Sequence, residues 1–347
     1  MQAQAPGKLI LSGEHAVVYG KPAIAVAVDR QATAAVTSIN TSDTVSLTLP
    51  RYGIAATFSP SQLREQTQAL WQRQRLAQAG RLSTTEVVTD PVQPLQAAVI
   101  HAMEGFNPMD SPTARPGLNA RPSAGFAVRL DSDIPPGCGL GSSAATSLSV
   151  LRAVTGYLGR KMEQGWYERA AGQIEELHHG RPSGVDATTC ARGGCLRFHN
   201  GLASPLPPPV FPLRLVHTGT PATNTAACVF HVKRHAGNGN LWDAFEQVTR
   251  ATERALLRRD MVACRQAVRR NHRLLVEIGV VPARVQEFIA AVERQGGAAK
   301  ICGAGAVTGD SAGVVWVVAD PFPTPLCRQY GYAIMTVRAR ADALKKT

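Results

Sequence analysis

One stretch constrains this chain more than any other: Asp133-Ile134-Pro135-Pro136-Gly137-Cys138-Gly139-Leu140-Gly141-Ser142-Ser143-Ala144-Ala145. It reads as an extended segment, a glycine-punctuated turn, and the first turn of a helix reaching to about Tyr157. Glycine lets backbone N–H groups approach a ligand with no side chain in the way. The helix behind it adds free N-terminal N–H groups and the positive end of its dipole, which favour phosphate. Ser142 and Ser143 put hydroxyls at that helix start, suited to capping or to a phosphate-bound metal. Many glycine-rich loops are only tight turns, but a long small-residue helix directly after the glycines is the context that phosphate binding requires. The local residues favour a phosphate cradle over a plain turn.

Composition narrows the setting. A chain of 347 residues holds one large or two medium domains. With 44% hydrophobic and 18% charged residues it reads as globular and soluble, not disordered. No apolar run reaches the roughly 20 residues of a membrane helix, and no signal-peptide pattern opens the chain, so no membrane partner is expected. The seven cysteines are scattered and form no Cys-x-x-Cys pair, which argues for reduced thiols in a cytoplasm and against structural zinc. The net charge of +12 suits either nucleic acid or small anionic substrates. Its arginines are spread out, with short clusters at Arg258-Arg259 and Arg269-Arg270, and lack the aromatic interleaving of single-strand binders. Solvated helix faces account for the charge, and no nucleic-acid partner is expected.

Periodicity gives a coarse map. Strands are expected at the start of the chain, at Ala23–Val28, Thr33–Ile39, Val45–Leu49, Ile54–Phe58 and Ala124–Leu130. Helices follow at Leu63–Leu76, Pro94–Met103, Ser142–Tyr157 and Gln164–His178. Residues 107–122 carry prolines and little apolar periodicity and are read as a loop or a partly ordered excursion. Gly180 to Asp186 is a second loop, Gly193–Phe198 a strand, and Ala203–Pro209 a linker, because its prolines stop a helix or central strand. The second half is α-rich: Ala222–Lys233, Leu241–Arg258, Val262–Ile278 and Pro282–Gln295, with strands Leu213–His217, Ala298–Cys302, Gly313–Val318 and Ala333–Val337. Mixed α+β with two domains is the natural reading.

Three motifs occur in order: Ala5-Pro6-Gly7-Lys8 with Gly13-Glu14-His15-Ala16-Val17-Val18-Tyr19-Gly20, then Pro135 to Ala145, then His179-Gly180-Arg181-Pro182-Ser183-Gly184-Val185-Asp186. Together they resemble the signatures of the GHMP kinase superfamily, named for galactose, homoserine, mevalonate and phosphomevalonate kinases. The first motif is nearest the mevalonate kinase branch; galactokinases typically carry Gly-Glu-His-Thr-Asp-Tyr, and the decarboxylase branch lacks the Gly-Glu-His run. The resemblance extends to about residue 318. It implies a two-domain GHMP kinase fold of the α+β class. A ribosomal protein S5 domain 2-like N-terminal domain would span 1–205, and a ferredoxin-like C-terminal domain 206–347. ATP and a small-molecule substrate would bind in the cleft between them. The implied activity is ATP-dependent phosphorylation of the 5-hydroxyl of mevalonate in isoprenoid biosynthesis, with a homodimer as an allowed assembly. Two alternatives stay open: a sister kinase acting on phosphomevalonate, a sugar or another small alcohol, and a non-catalytic nucleotide-binding protein.

Phosphoryl transfer to an alcohol needs a phosphate cradle, magnesium, charge neutralisation and a group that handles the hydroxyl proton. By resemblance, ATP contacts fall to Lys8, Ser132, Pro136, Gly137, Cys138, Gly139, Leu140, Gly141, Ser142 and Ser143. Mg2+ falls to Ser143 and Glu175, whose hard oxygens suit that ion. Asp186 is the candidate base, accepting the alcohol proton or orienting the hydroxyl. Lys8 beside it would lower the pKa of the attacking alcohol and stabilise phosphate charge. Glu14 and His15 have two readings, substrate contact or support of the strand-to-loop turn. Gly303 and Ala304 belong to the third of the chain's glycine-bearing segments (after 6–20 and 134–145), on the substrate side, which departs from the family: Lys300-Ile301-Cys302-Gly303-Ala304-Gly305-Ala306-Val307 stands where mevalonate kinases usually have a threonine and a longer glycine run. The segment Thr218–Thr225 carries none of the basic residues usual there, which keeps the alternative of a different acceptor open.

Overall fold

Strict alternation builds the first strands: in Val45-Ser46-Leu47-Thr48-Leu49 every second side chain is buried. The computed structural model describes residues 1–41, 43–105, 125–179, 182–209, 211 and 213–340. The expected loop at 107–122 and the pair Gly180-Arg181 lie outside the described residues. Among those described, the strands are β1 (Gln2–Ser12), β2 (Ala23–Ile39), β3 (Val45–Leu49), β4 (Ile54–Phe58), β5 (Gly125–Ser132) and β6 (Cys195–His199). They continue with β7 (Leu202–Leu206), β8 (Leu213–His217), β9 (Ala298–Cys302), β10 (Val314–Val318) and β11 (Ala333–Val337). The helices are α1 (Pro60–Gln78), α2 (Gln93–Glu104), α3 (Ser142–Tyr157), α4 (Gln164–His179) and α5 (Val185–Arg192). Later come α6 (Thr225–Val232), α7 (Gly239–Arg258), α8 (Met261–Glu277), α9 (Ala283–Arg294) and α10 (Thr324–Gln329).

The chain forms two compact units that interleave in sequence. The first comprises Met1–Gly7, Arg30–Ile134 and Ser142–Ala191; the second comprises Lys8–Asp29, Pro135–Gly141 and Arg192–Thr347. In the first unit β4 pairs with β3, β3 runs parallel to β5, and β5 pairs antiparallel with residues 32–39 of β2. Helices α1 to α4 pack on one another, and α3 lies against β5. Helix α1 opens on a capping box at Ser59 and Gln62, which satisfies two N-terminal N–H groups reciprocally.

In the second unit residues 23–26 of β2 pair with β6, and β6 with β7. A separate four-stranded antiparallel sheet has the order β11-β8-β10-β9. Relative to its own chain order this is 4-1-3-2, the ferredoxin-like arrangement that was expected. Ala299, Ile301, Val315 and Val317 point from this sheet into a core with Trp242, Phe245, Phe288 and Ile289 of α7 and α9.

Three local expectations are corrected. The strands expected at 23–28 and 33–39 are one strand, because the polar residues between them find partners: Asp29 exchanges hydrogen bonds with Arg338, and Arg30 and Gln31 meet Asp133. The expected linker at 203–209 is largely β7, where Pro205 is tolerated because the strand lies at a sheet edge. The chain from Val185 is the helix α5 and not the end of a loop, and eight residues are too few for periodicity to announce it.

Helix α8 turns Cys264, Ala267, Val268, Asn271, His272 and Leu275 inward. Burial, with the charges of Arg273 and Lys300, pushes the His272 imidazole down to about 4. Its ring is therefore neutral in the folded protein, while in the unfolded chain it takes up a proton near its ordinary value. Between those two values the unfolded chain binds more protons, so His272 lowers stability as pH falls from about 6.5 to about 4, by on the order of 3 kcal/mol in full. Urea midpoints measured across that window should fall steeply for the wild type and less steeply for His272→Gln; equal slopes would exclude His272 as the source.

Candidate active site

The glycine loop Pro135–Gly141 lies in the second unit. Gly137, Gly139 and Gly141 have φ of +68°, +83° and +69°, alternating with residues of ordinary hand. That alternation is the backbone pattern of anion-binding nests. Gly139 has a second constraint: a Cβ there would lie 2.4 Å from the carbonyl oxygen of Cys302. Likewise a Cβ on Gly313 would lie 2.9 Å from the carbonyl oxygen of Cys138, whose oxygen accepts the Val314 N–H at 3.1 Å. The loop is thus seated on the loops that follow β9 and precede β10. The Cys138 thiol is buried and donates to the Pro135 carbonyl.

Lys8 reaches this loop from β1. Its backbone N–H donates to Leu140 O at 2.9 Å and its Nζ to Gly139 O at 3.0 Å. The side chain is almost wholly buried, so the ammonium charge sits beside the nest where solvent screens it little. The geometry unites the three glycine-bearing segments within one unit: Lys8 meets Gly139, and Gly139 meets Gly303.

The turn after β1 is fastened on the same side. Gly13 has a φ of +90°, and a Cβ there would collide with Pro22 O at 2.4 Å. Glu14 pairs with Lys300 of β9, and its second oxygen accepts Asn271 Nδ2 at 3.4 Å. His15 Nε2 donates to Ala304 O at 3.0 Å, and burial lowers the pKa of the ring, leaving it neutral. Both residues therefore make supporting contacts. In the third glycine-bearing segment Gly303 and Gly305 keep positive φ, but Ala306 is buried and its N–H is spent on Val280 O. Asp310 is exposed. The Thr218–Thr225 segment is also structural in part: Thr218 Oγ1 bonds Gly313 O, and Asn224 caps α6.

The remaining candidates lie in the first unit. Ser142 and Ser143 form the first turn of α3, and Glu175 is a buried residue of α4, which packs on α3. A carboxylate and a hydroxyl are hard donors of the kind magnesium prefers, and that ion takes only one or two ligands from protein, so this donor set fits it. Asp186 is partly buried in the first turn of α5, where the helix dipole favours a carboxylate. The far end of α5 is held by Arg152 Nη2 and Gln164 Nε2, which both donate to Ala191 O, while Arg152 Nη1 donates to Gln4 O. Ser132 Oγ accepts the Ile134 N–H, and Arg51 donates to the carbonyls of Ser132 and Ile134, fixing the chain just ahead of the loop.

Sequence reasoning missed Arg51 and Arg152, and it gave Lys300 and Asn271 no role beyond their places in and before the Gly303 segment. Only Lys300 left a signal, a lysine inside an otherwise apolar strand whose every residue is buried. The seat under Gly139 generates a prediction. Gly139→Ala would require an unfavourable φ and push a methyl into a backbone oxygen, so ATP affinity should fall at least about tenfold with some loss of stability. Titration calorimetry with ATP checks this; wild-type affinity in Gly139→Ala would refute the close approach.

The family model for the GHMP kinases N terminal domain matches residues 109–194. The mevalonate kinase of Pyrococcus horikoshii is 28% identical over 316 residues, covering 87% of this chain and 85% of the relative. The crystal structure of Methanococcus jannaschii mevalonate kinase superposes with a TM-score of 0.76 at 20% identity, covering 98% of each chain. Lactococcus lactis galactokinase complexed with galactose superposes with a TM-score of 0.73 at 11% identity, covering 99% of this chain and 95% of that one. These likenesses show the two-domain α+β fold that the motifs implied. The domain match, the long-range sequence relationship and the shared fold agree: residues 109–194 match the GHMP kinase N-terminal domain, and the chain is similar to mevalonate kinases along most of its length.

Proposed function

We propose that this protein is a kinase that transfers the γ-phosphoryl group of ATP to the 5-hydroxyl of mevalonate, forming 5-phosphomevalonate for isoprenoid synthesis. The observation that carries the phosphoryl-transfer chemistry is the buried Lys8 ammonium held against the glycine nest, 3.0 Å from Gly139 O. The choice of acceptor rests elsewhere, since galactokinase shares the fold. It rests on the mevalonate kinase that matches 87% of the chain, together with the Gly13–Gly20 turn.

In this reading the N–H groups of residues 137–143 cradle the phosphates, with the dipole of α3 behind them. Lys8 balances charge on the transferring group and favours the alkoxide form of the attacking oxygen. Asp186 accepts or orients the hydroxyl proton. Ser143 and Glu175 would hold Mg2+, which when bound draws charge from the phosphate oxygens. His15, Gly303 and Ala304 border the acceptor. All seven cysteines are free, buried thiols, which supports work in a reducing compartment such as the cytoplasm.

The spent N–H of Ala306 favours one second reading, a sister kinase with a different small alcohol, because that glycine-poor loop offers the acceptor fewer donors. A panel of mevalonate, phosphomevalonate and sugars separates the two. Purified protein with ATP, magnesium and R-mevalonate should give ADP and 5-phosphomevalonate. Asp186→Ala should lower kcat by about 100-fold or more, the size of a lost general base. Wild-type turnover no faster than that variant's would sink the proposal.

A further inference from the structure

We propose that Lys300 is a positioning residue, whose buried ammonium locks Glu14 and strand β1 so that Lys8 is presented to the phosphate loop and Glu14 is withdrawn from substrate. The proposal rests on the kinase reading in taking Lys8 as the group that meets phosphate.

An ammonium has three N–H donors, and Lys300 Nζ has three acceptors on three different pieces of chain. They are Glu14 in the turn after β1, the carbonyl of Ile10 in β1 at 3.4 Å, and Cys302 Sγ in β9 at 3.7 Å. The Lys300 and Glu14 side chains are 0% and 1% exposed, so water neither screens the pair nor replaces it. Ile10 lies two residues beyond Lys8, on the same face of β1. A donor fixed on the Ile10 carbonyl therefore sets the height of β1 at the point where Lys8 reaches Gly139. Glu14 has both oxygens engaged, one by Lys300 and one by Asn271, which leaves its carboxylate poorly placed to bind an acceptor hydroxyl.

Stability alone does not account for the pair. A buried ion pair is commonly no more stabilising than well-packed apolar residues of the same volume, whereas it fixes register far more sharply. That contrast makes the proposal testable. In Lys300→Met/Glu14→Leu the buried charges leave together, so the protein should stay folded, with melting close to wild type. Its kcat should nevertheless fall about tenfold or more, while the KM values for ATP and for the acceptor stay within about threefold. A folded double variant with wild-type kcat would reduce the pair to packing and overturn the proposal. A raised acceptor KM at wild-type kcat would make Glu14 a substrate ligand and overturn it equally.

Amide hydrogen exchange of residues 8–16 reads the clamp without any acceptor, and should quicken by about tenfold in the double variant. If that variant does not fold, Glu14→Gln carries the test, since its amide oxygen keeps an acceptor for Lys300; exchange should quicken and kcat fall there too. A wild-type enzyme inactive on every acceptor removes the proposed function. Unchanged exchange in the variant removes the clamp.

Discussion

The contact on which much of this molecule depends is the approach of two backbones at Gly139 and Cys302-Gly303. There is no room between them for a methyl group, and both chains need left-handed glycines to come so close. Around that crossing the second unit assembles its chemistry. Cys138 O is tied to Val314, Lys8 to Gly139 and Leu140, and His15 to the residue after Gly303. A glycine loop built only from its own turn would lack outside support. Here the loop is seated on two loops of a four-stranded sheet, which fixes its backbone through contacts outside its own turn.

Strand β1 joins that seat to the rest. Its middle residues supply the lysine, and its end supplies a turn pinned by Gly13, Glu14, His15 and the stacking of Tyr19 on Trp242 at 4.1 Å. The first unit follows a related logic with α5. Eight residues make a weak helix alone, so Arg152 and Gln164 satisfy the carbonyl of Ala191 in its last turn and hold the helix that carries Asp186 in its first.

Much of this was legible in the sequence where function is written in short motifs or strict alternation. The three motifs announced the resemblance to the GHMP kinases, the glycine-serine run announced the turn and the helix start, and the strands of the C-terminal sheet fell where apolar runs placed them. What stayed hidden was set by distant partners. Asp29-Arg30-Gln31 looks like a break until Asp133 and Arg338 are seen to satisfy it. Glu14 reads equally well as ligand or scaffold until Lys300, 286 residues away, takes its oxygen. Pro205 argues for a linker only if the strand is not at an edge.

The interleaving of the two units carries a consequence for how the chain is made. Residues 8–29 are made before their partners, and Asp29 finds Arg338 only 309 residues later. Until then a run of apolar strand, Ala23 to Val28, waits without its final neighbours. The first unit, by contrast, has all its segments by Ala191. Synthesis therefore delivers one unit early and holds the other open until β8 to β11 are made, so a chain cut between them keeps the helix that bears Asp186 and loses the seat on which the glycine loop rests.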